Sequence, residues 1–78
     1  MRFPIEKETV MNDDTFNMSI RKFLKMVGVK SQHEIEQAVA KAVEAGRISG
    51  SETLPATMRL TIAGVDLDVG FDGVINLE

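Results

Sequence analysis

Residues 31–46, SQHEIEQAVAKAVEAG, carry a helix start signal, an apolar stripe and a helix stop signal in one short segment. Ser31 and Glu34 have the spacing of a capping box, in which the two side chains satisfy free amides of the first turn. Gly46 can adopt the left-handed conformation that closes a helix. The stripe between them is narrow and consists of Ile35, Ala38, Val39, Ala42 and Val43. Because these side chains are small, the element that covers them must approach closely.

The rest of the chain allows a second helix just before this one. Asn12, Asp13 and Asp14 offer cap side chains and negative charge at a helix start, and Gly28 offers a stop. Between them an apolar stripe recurs at helical spacing: Phe16, Ile20, Phe23, Leu24 and Val27. Only two residues separate Gly28 from Ser31. The spacing therefore predicts two helices that turn back on one another, with the bulky stripe filling the space left by the small one.

After Pro55 the apolar period changes from 3.6 to 2, which is typical of strands. A two-residue Gly64-Val65 turn would pair Ile62 with Leu67, Leu60 with Val69 and Met58 with Phe71. For the second turn we choose a three-residue loop of residues 71–73 with Gly73 in a bulge. That loop pairs Val69 with Ile75 and Leu67 with Leu77, and keeps the apolar residues on one face. The pattern predicts three short antiparallel strands.

The predicted fold is α+β in the order ααβββ, with two N-terminal helices packed on one face of a three-stranded antiparallel meander. Residues 11–78 form this single domain, and residues 1–10 form a flexible N-terminal arm without a sustained period. The expected core is one small cluster: Phe16, Ile20, Phe23, Leu24, Val27, Ile35, Val39, Ala42, Val43, Ile48, Leu60, Ile62, Leu67, Val69, Ile75 and Leu77.

Composition excludes several classes of protein. The 78 residues contain no Cys, so disulfides and thiolate chemistry are impossible, and we expect a reduced, cytoplasmic setting. No apolar run approaches the roughly 18 residues of a membrane span, and the first residues are too polar for a secretory signal. Residues 48–78 hold one Lys or Arg against five Asp or Glu. We therefore expect a soluble protein whose C-terminal part does not contact nucleic acid.

Catalytic signals are weak. His33 is the only His and falls in the polar first turn of the second predicted helix, where a solvated side chain is the ordinary interpretation. Asp66, Asp68 and Asp72 lack the glycine and terminal Glu of a calcium loop. We expect no catalytic residues, no metal and no cofactor, and enzyme activity is the least favoured of three hypotheses.

The second hypothesis is a nucleic-acid-binding module. Its candidate surface is a basic face on the first helix, formed by Arg21, Lys22, Lys25 and Lys30. Helix, turn, helix and hairpin superficially resemble a winged-helix module. The second helix exposes Glu34, Glu36 and Glu44, however, and the hairpin carries Asp rather than Lys or Arg at its tips. A solvated helix face is the simpler interpretation.

The hypothesis we place first is a small, non-enzymatic protein-interaction module that binds an unknown protein or itself. The C-terminal strand would be an unprotected sheet edge, because no Lys, Pro or further strand follows it. Two short helices would also leave apolar residues uncovered at the rim. The candidate edge and rim residues are Val74, Ile75, Asn76, Leu77, Met58 and Phe71. The alternative is a monomer whose short edge is protected by Glu78.

The run NDDTFNMSIRKFLKMVGVKSQHEIEQAVAKAVEAG, followed by ETLPA and the alternating strands, resembles a family of short bacterial proteins classified only as a domain of unknown function. The specific part is the motif F-x-x-x-I-R-K-F-L-K…V-G-V-x-S-Q-x-E-I-E, and the resemblance covers residues 11–78. It implies a bacterial cytoplasmic setting, and it transfers no functional residues.

Overall fold

The computed structural model describes residues 11–78, so the predicted arm of residues 1–10 lies outside the described part of the chain. One long helix, α1 (Asp13–Glu44), is followed by strand β1 (Thr53–Ile62), a single 3₁₀ turn (Ala63–Val65) and strand β2 (Leu67–Asn76). The described residues fall into two compact units that divide along α1 between Gln37 and Ala38.

Both ends of α1 are capped as the sequence predicts. At the start, Asn12 Oδ1 accepts the amide of Thr15 at 3.0 Å and the Asn12 carbonyl accepts the amide of Phe16 at 2.9 Å. At the end, Gly46 adopts a φ of 75°. The amide of Arg47 then donates to the Ala42 carbonyl at 2.9 Å, and that of Gly46 to the Val43 carbonyl at 3.0 Å. These two bonds form a Schellman motif, which satisfies carbonyls that the helix end leaves free.

The predicted break between two helices is wrong, because α1 continues through residues 28–31. Gly28 has no positive φ, and Ser31 lies in the helix interior, where the predicted capping box has no role. Ending one helix and starting another would leave free amides and carbonyls on both sides of a two-residue connection. Retaining Gly28 in a helix costs only about 1 kcal/mol relative to Ala. The continuous helix is the cheaper local solution.

The first predicted hairpin register is confirmed. Ile62 pairs with Leu67, Leu60 with Val69 and Met58 with Phe71 in an antiparallel ladder. The predicted two-residue turn is wrong, since the chain reverses through the 3₁₀ turn and through Asp66, which takes the left-handed conformation at φ 52°. An Asp tolerates that conformation better than most residues with a side chain. Alternation of apolar residues therefore set the pairing, and the turn adapted to it.

The predicted second turn and third strand are absent from residues 11–78. Strand β2 runs straight through Asp72 and Gly73, and its second half pairs with the start of β1: Gly73 lies opposite Ala56 and Ile75 opposite Leu54. Val69 pairs with Leu60 rather than with the predicted Ile75. The composition of residues 47–55, with Gly50, two Ser residues and Pro55, predicts a linker, but residues 53–57 continue the alternation of β1 and give β2 a partner along its whole length. A two-stranded sheet tolerates Pro55 because each of its strands is an edge.

The chain is thus α+β, but with one helix and a two-stranded hairpin in place of the predicted ααβββ order. The expected core is also wrong, since no side chain in residues 11–78 is buried. Nine of the residues expected there are half-buried: Val27, Val39, Ala42, Ile48, Leu60, Leu67, Val69, Ile75 and Leu77. The other seven are exposed: Phe16, Ile20, Phe23, Leu24, Ile35, Val43 and Ile62.

Candidate interaction surfaces

One face of α1 carries an apolar stripe along almost its full length. It consists of Phe16, Ile20, Phe23, Val27, Ser31, Ile35, Ala38 and Ala42, at intervals of four, three, four, four, four, three and four residues. At 100° per residue these positions fall within about 120° of arc, which also holds Leu24, Glu34 and Lys41. The largest side chains are exposed: Phe16 by 49%, Ile20 by 39% and Phe23 by 45%. We call this set the stripe.

Exposed rings on the stripe are the feature that the sequence analysis missed. The sequence pattern predicts that Phe16 and Phe23 lie in a core inside one chain, whereas both rings are exposed. The signal that they belong to a single face is the unbroken run of three- and four-residue intervals across Gly28. Ser31 continues that run, although its side chain is polar and its apparent role as a helix cap concealed its place in the series.

Three of the four predicted edge residues lie within the paired part of β2, and Leu77 follows its last residue. Val74 lies opposite Pro55 and Ile75 opposite Leu54, while Asn76 lies opposite Thr53 and its Oδ1 accepts the Thr53 hydroxyl at 3.0 Å. The amide of Leu77 donates to the Glu52 carbonyl at 3.0 Å. These residues pair on one side with the start of β1, a partner that the predicted meander did not give them.

The predicted rim residues lie together on the apolar face of the hairpin. Met58 is directly opposite Phe71. Ile62 is four residues after Met58 in β1 and therefore lies on the same face. Met58 is 45% exposed and Phe71 is 55% exposed. The structure therefore brings Met58 and Phe71 together, as the sequence predicted, but near the middle of a long hairpin rather than at the end of a meander.

The predicted basic face is exposed and only partly contiguous. Arg21, Lys22 and Lys25 fall within about 100° of arc on α1, and Lys30 lies outside that arc. Glu36 shares the arc further along the helix, so negative charge interrupts it. Nucleic-acid contact through these residues stays a prediction.

The opposite, polar face of the hairpin uses its charged groups for cross-strand pairing. Arg59 donates from Nε and Nη2 to the two carboxylate oxygens of Asp68, each at 2.7 Å. The guanidinium lowers the pKa of Asp68 below its usual value. Thr57 donates its hydroxyl to Asp72 at 3.0 Å. Two of the three Asp residues weighed as a cation site are thereby engaged in holding the strands in register.

The segment between α1 and β1 is organised by one carboxylate. Glu52 Oε2 accepts the Ser49 amide at 2.8 Å and the Ser49 hydroxyl at 3.1 Å, and Oε1 accepts the Gly50 amide at 2.9 Å. These donors, first the two backbone amides, lower the pKa of Glu52 to about 2. Gly50 takes a φ of 105°, which a residue with a side chain rarely adopts. Glu52 therefore holds the turn that leads into β1.

The described residues were also compared with the requirements of a metal site, a surface pocket and a membrane-spanning helix. His33 is exposed on α1, and no group of three or more His, Cys, Asp or Glu residues is arranged to hold a metal ion within the described range. A surface depression of about 400 Å³ has Asp14, Asn17, Met18 and Arg21 as its described lining, all from α1. The one described helix is not apolar enough over a sufficient length to cross a membrane.

Neither a curated protein nor a solved structure is similar to the chain. A family model matches residues 11–78, the whole of the described chain and the range of the sequence resemblance noted above. The chain belongs to the family of unknown function DUF6494.

Proposed function

We propose that this protein is a protein-interaction module that binds a partner protein chain through the stripe on α1. The observation that carries the proposal is the exposure of three large stripe residues, Phe16, Ile20 and Phe23, by 49%, 39% and 45%. Contiguous apolar patches of this kind on a soluble protein mark interaction surfaces. Aromatic side chains are also enriched among the residues that dominate binding energy.

The geometry of the stripe suits a helical partner. Its positions recur every three or four residues, which is the spacing by which an amphipathic helix is recognised in a groove or against another helix. It extends from Phe16 to Ala42, a length of about 39 Å at 1.5 Å per residue. Large side chains occupy most of the stripe up to Ile35, and only Ala residues follow, so a partner can approach α1 closely only near Ala38 and Ala42.

A pair of matched substitutions tests the proposal. Phe23→Asp places a charge in the middle of the stripe, whereas Val29→Asp places the same charge on the opposite side of α1, where Val29 is 62% exposed. The measurement is the mass of the complex that each variant and the unaltered protein form in the source cell, determined by native mass spectrometry after gentle purification. We expect Phe23→Asp to remove the complex and Val29→Asp to leave it intact.

Two outcomes would contradict the proposal. One is that the unaltered protein is recovered only at the 8.6 kDa mass of the single chain. The other is that both substitutions affect the complex equally, because the stripe would then have no special part in binding. Circular dichroism of both variants shows whether α1 is retained, which separates a lost contact from a lost fold.

A further inference from the structure

We infer that the partner bound by the stripe is a second copy of this chain, with the two α1 helices antiparallel and centred on Val29. The inference rests on the proposed function, since it names the occupant of the same surface. It begins from the spacing of the stripe, which reads the same in both directions: four, three, four, four, four, three and four residues. A two-fold axis at the level of Val29 therefore places every stripe position opposite another stripe position.

The facing residues follow directly from this symmetry. Phe16 lies opposite the partner's Ala42, and Ile20 lies opposite the partner's Ala38. Closer to the axis, Phe23 lies opposite the partner's Ile35 and Val27 opposite the partner's Ser31. A two-fold interface uses each of these pairs twice, as an isologous contact requires.

A large side chain faces a small one in the two outer pairs. The two ends of the stripe carry the largest and the smallest residues, Phe16 and Ala42, and the antiparallel arrangement sets each against the other. A parallel arrangement would instead set Phe16 against the partner's Phe16 and leave Ala42 against the partner's Ala42, with crowding at one end and a gap at the other. Close packing of helices requires large side chains to fill the space left by small ones.

The period of the stripe is compatible with a long contact between two nearly straight helices. Phe16, Val27 and Ala38 are separated by two steps of 11 residues. Such a repeat corresponds to about 3.67 residues per turn, close to that of an undistorted α-helix, with a slight right-handed supercoil. The stripe therefore stays on the contact surface over its full length.

Charge also favours the antiparallel arrangement. Asp13 at the start of α1 lies within about one helical turn of the partner's Lys41, whereas parallel helices would place Asp13 beside the partner's Asp13 and Lys41 beside the partner's Lys41. The helix dipoles are also opposed in the antiparallel pair, which is favourable. Lys30 lies near the partner's Lys30 at the centre, and Glu34, one turn along each helix, offsets that repulsion. The same axis sets Glu34 opposite the partner's Leu24, which is the one unfavourable pair on this face.

The exposed side chains on this face of α1 supply about half of the area that a standard dimer interface buries. Phe16, Ile20, Phe23, Leu24 and Ile35 are between 38% and 55% exposed. With about 200 Å² for a whole Phe and somewhat less for Ile and Leu, these five side chains expose roughly 400 Å². A standard interface buries about 800 Å² per partner. Five side chains thus supply about half of that area, before the smaller residues between them are counted.

The same pairs would form in the two-helix arrangement that the sequence predicts. A turn at residues 28–30 would fold Phe16 onto Ala42 and Ile20 onto Ala38 within one chain. Since α1 is continuous through Gly28, those contacts are available only from a second copy. This is the relation between a closed monomer and a domain-swapped dimer, in which a straightened hinge exchanges an identical element between copies.

Distances between spin labels test the arrangement. The chain has no Cys, so a single introduced Cys is labelled uniquely. Met18→Cys and Val29→Cys both place the label on the side of α1 away from the stripe, at positions that are 59% and 62% exposed. In the antiparallel dimer the two labels at position 18 are separated by about 33 Å along the helix axis, and those at position 29 by about zero.

We expect the distance measured at position 18 by double electron–electron resonance to exceed that at position 29 by more than about 10 Å. The labelled protein should have twice the 8.6 kDa mass of the chain. Equal distances at both positions would show a parallel pair and overturn the inference. A recombinant chain that stays monomeric while the complex from the source cell is larger would also overturn it, yet would leave the proposed function intact. The proposed function fails separately if the protein purified from the source cell has only the mass of the single chain.

A size exchange tests the facing residues themselves. Ile20→Ala leaves a gap opposite the partner's Ala38, and Ala38→Ile crowds the partner's Ile20, so each alone should raise the dissociation constant at least tenfold. Together they restore the match, and the dissociation constant should return to within a few-fold of the original. In the control, Ile20→Ala is combined with Ala40→Ile, which lies outside the stripe, and no rescue is expected. Equal behaviour of the two double variants would overturn the assigned pairs.

Discussion

Glu52 shows how one side chain organises a turn. Its two oxygens accept amides from Ser49 and Gly50 and a hydroxyl from Ser49, and these bonds are stronger to the ionised carboxylate than to its protonated form. Because the donors lower the pKa of Glu52 to about 2 from 4.5, the folded chain holds its proton less tightly than the unfolded chain. The stabilisation is therefore fully present above about pH 4.5 and is lost as the pH falls towards about 2.

We expect Glu52→Gln to reduce the dependence of the free energy of unfolding on pH between pH 4.5 and 2. The amide still accepts a hydrogen bond, but it does not titrate. Chemical unfolding followed by circular dichroism at a series of pH values measures this dependence, with Glu44→Gln on α1 as the control that retains it. An unchanged pH profile in Glu52→Gln would contradict this role for Glu52.

At the scale of the elements, two glycines in α1 and its cap have opposite roles. Gly28 lies in the helix with open space where a Cβ would stand, whereas Gly46 takes a φ of 75°. We expect Gly28→Ala to stabilise the protein by about 0.5–1 kcal/mol, because Ala loses less backbone entropy in a helix. Gly46→Ala should destabilise it by about 1 kcal/mol, because Ala is strained in the left-handed region.

The midpoints of urea unfolding of the two variants measure both effects. If Gly28→Ala were destabilising by a similar amount to Gly46→Ala, then Gly28 would be acting as a helix stop and the continuous α1 would be wrong.

The hairpin allows an equivalent comparison. Gly73 lies on the apolar face of β2 opposite Ala56, with open space for a Cβ and no positive φ, while Gly50 has a φ of 105°. We expect Gly73→Val to raise the free energy of unfolding by about 0.5–1 kcal/mol, since a β-branched residue suits a strand better than glycine. Gly50→Val should lower it. A large loss of stability in Gly73→Val would favour the turn at residues 71–73 and contradict the long hairpin.

At the scale of the molecule, exposed apolar surface links folding to association. A two-stranded hairpin is marginal in water by itself, and an isolated helix gains most of its stability from packing of its apolar face. If a second copy covers the stripe, each tenfold rise in protein concentration adds about 1.4 kcal/mol per dimer, or about 0.7 kcal/mol per chain, to the apparent stability. We expect the thermal midpoint to rise by a few degrees per tenfold concentration. Differential scanning calorimetry at several concentrations measures this, and a constant midpoint would indicate a stable monomer.

The sequence predicted a structural feature correctly where that feature depends on one residue type and its immediate neighbours. Asn12 caps α1, Gly46 ends it, and alternation of apolar residues pairs Ile62 with Leu67. Each of these features depends on a few neighbouring atoms: an oxygen for a free amide, a backbone without a Cβ, or side chains on alternate sides of a strand. The apolar positions of the stripe on α1 can likewise be recognised in the sequence by their helical spacing. Ser31 is the exception, because it is polar and has the spacing of a helix cap.

What the sequence alone determined is therefore the periodicity of each segment, the two ends of α1 and the pairing of the first hairpin residues. Only the tertiary structure decided that Gly28 does not end a helix and that Gly73 does not end a strand. The physical reason is that glycine at either position costs only about 1 kcal/mol within an element. The hydrogen bonds gained by continuing α1 outweigh this cost at Gly28. The hydrogen bonds between residues 72–76 and residues 53–57 outweigh it at Gly73. The residues next to each glycine carry no signal for these hydrogen bonds.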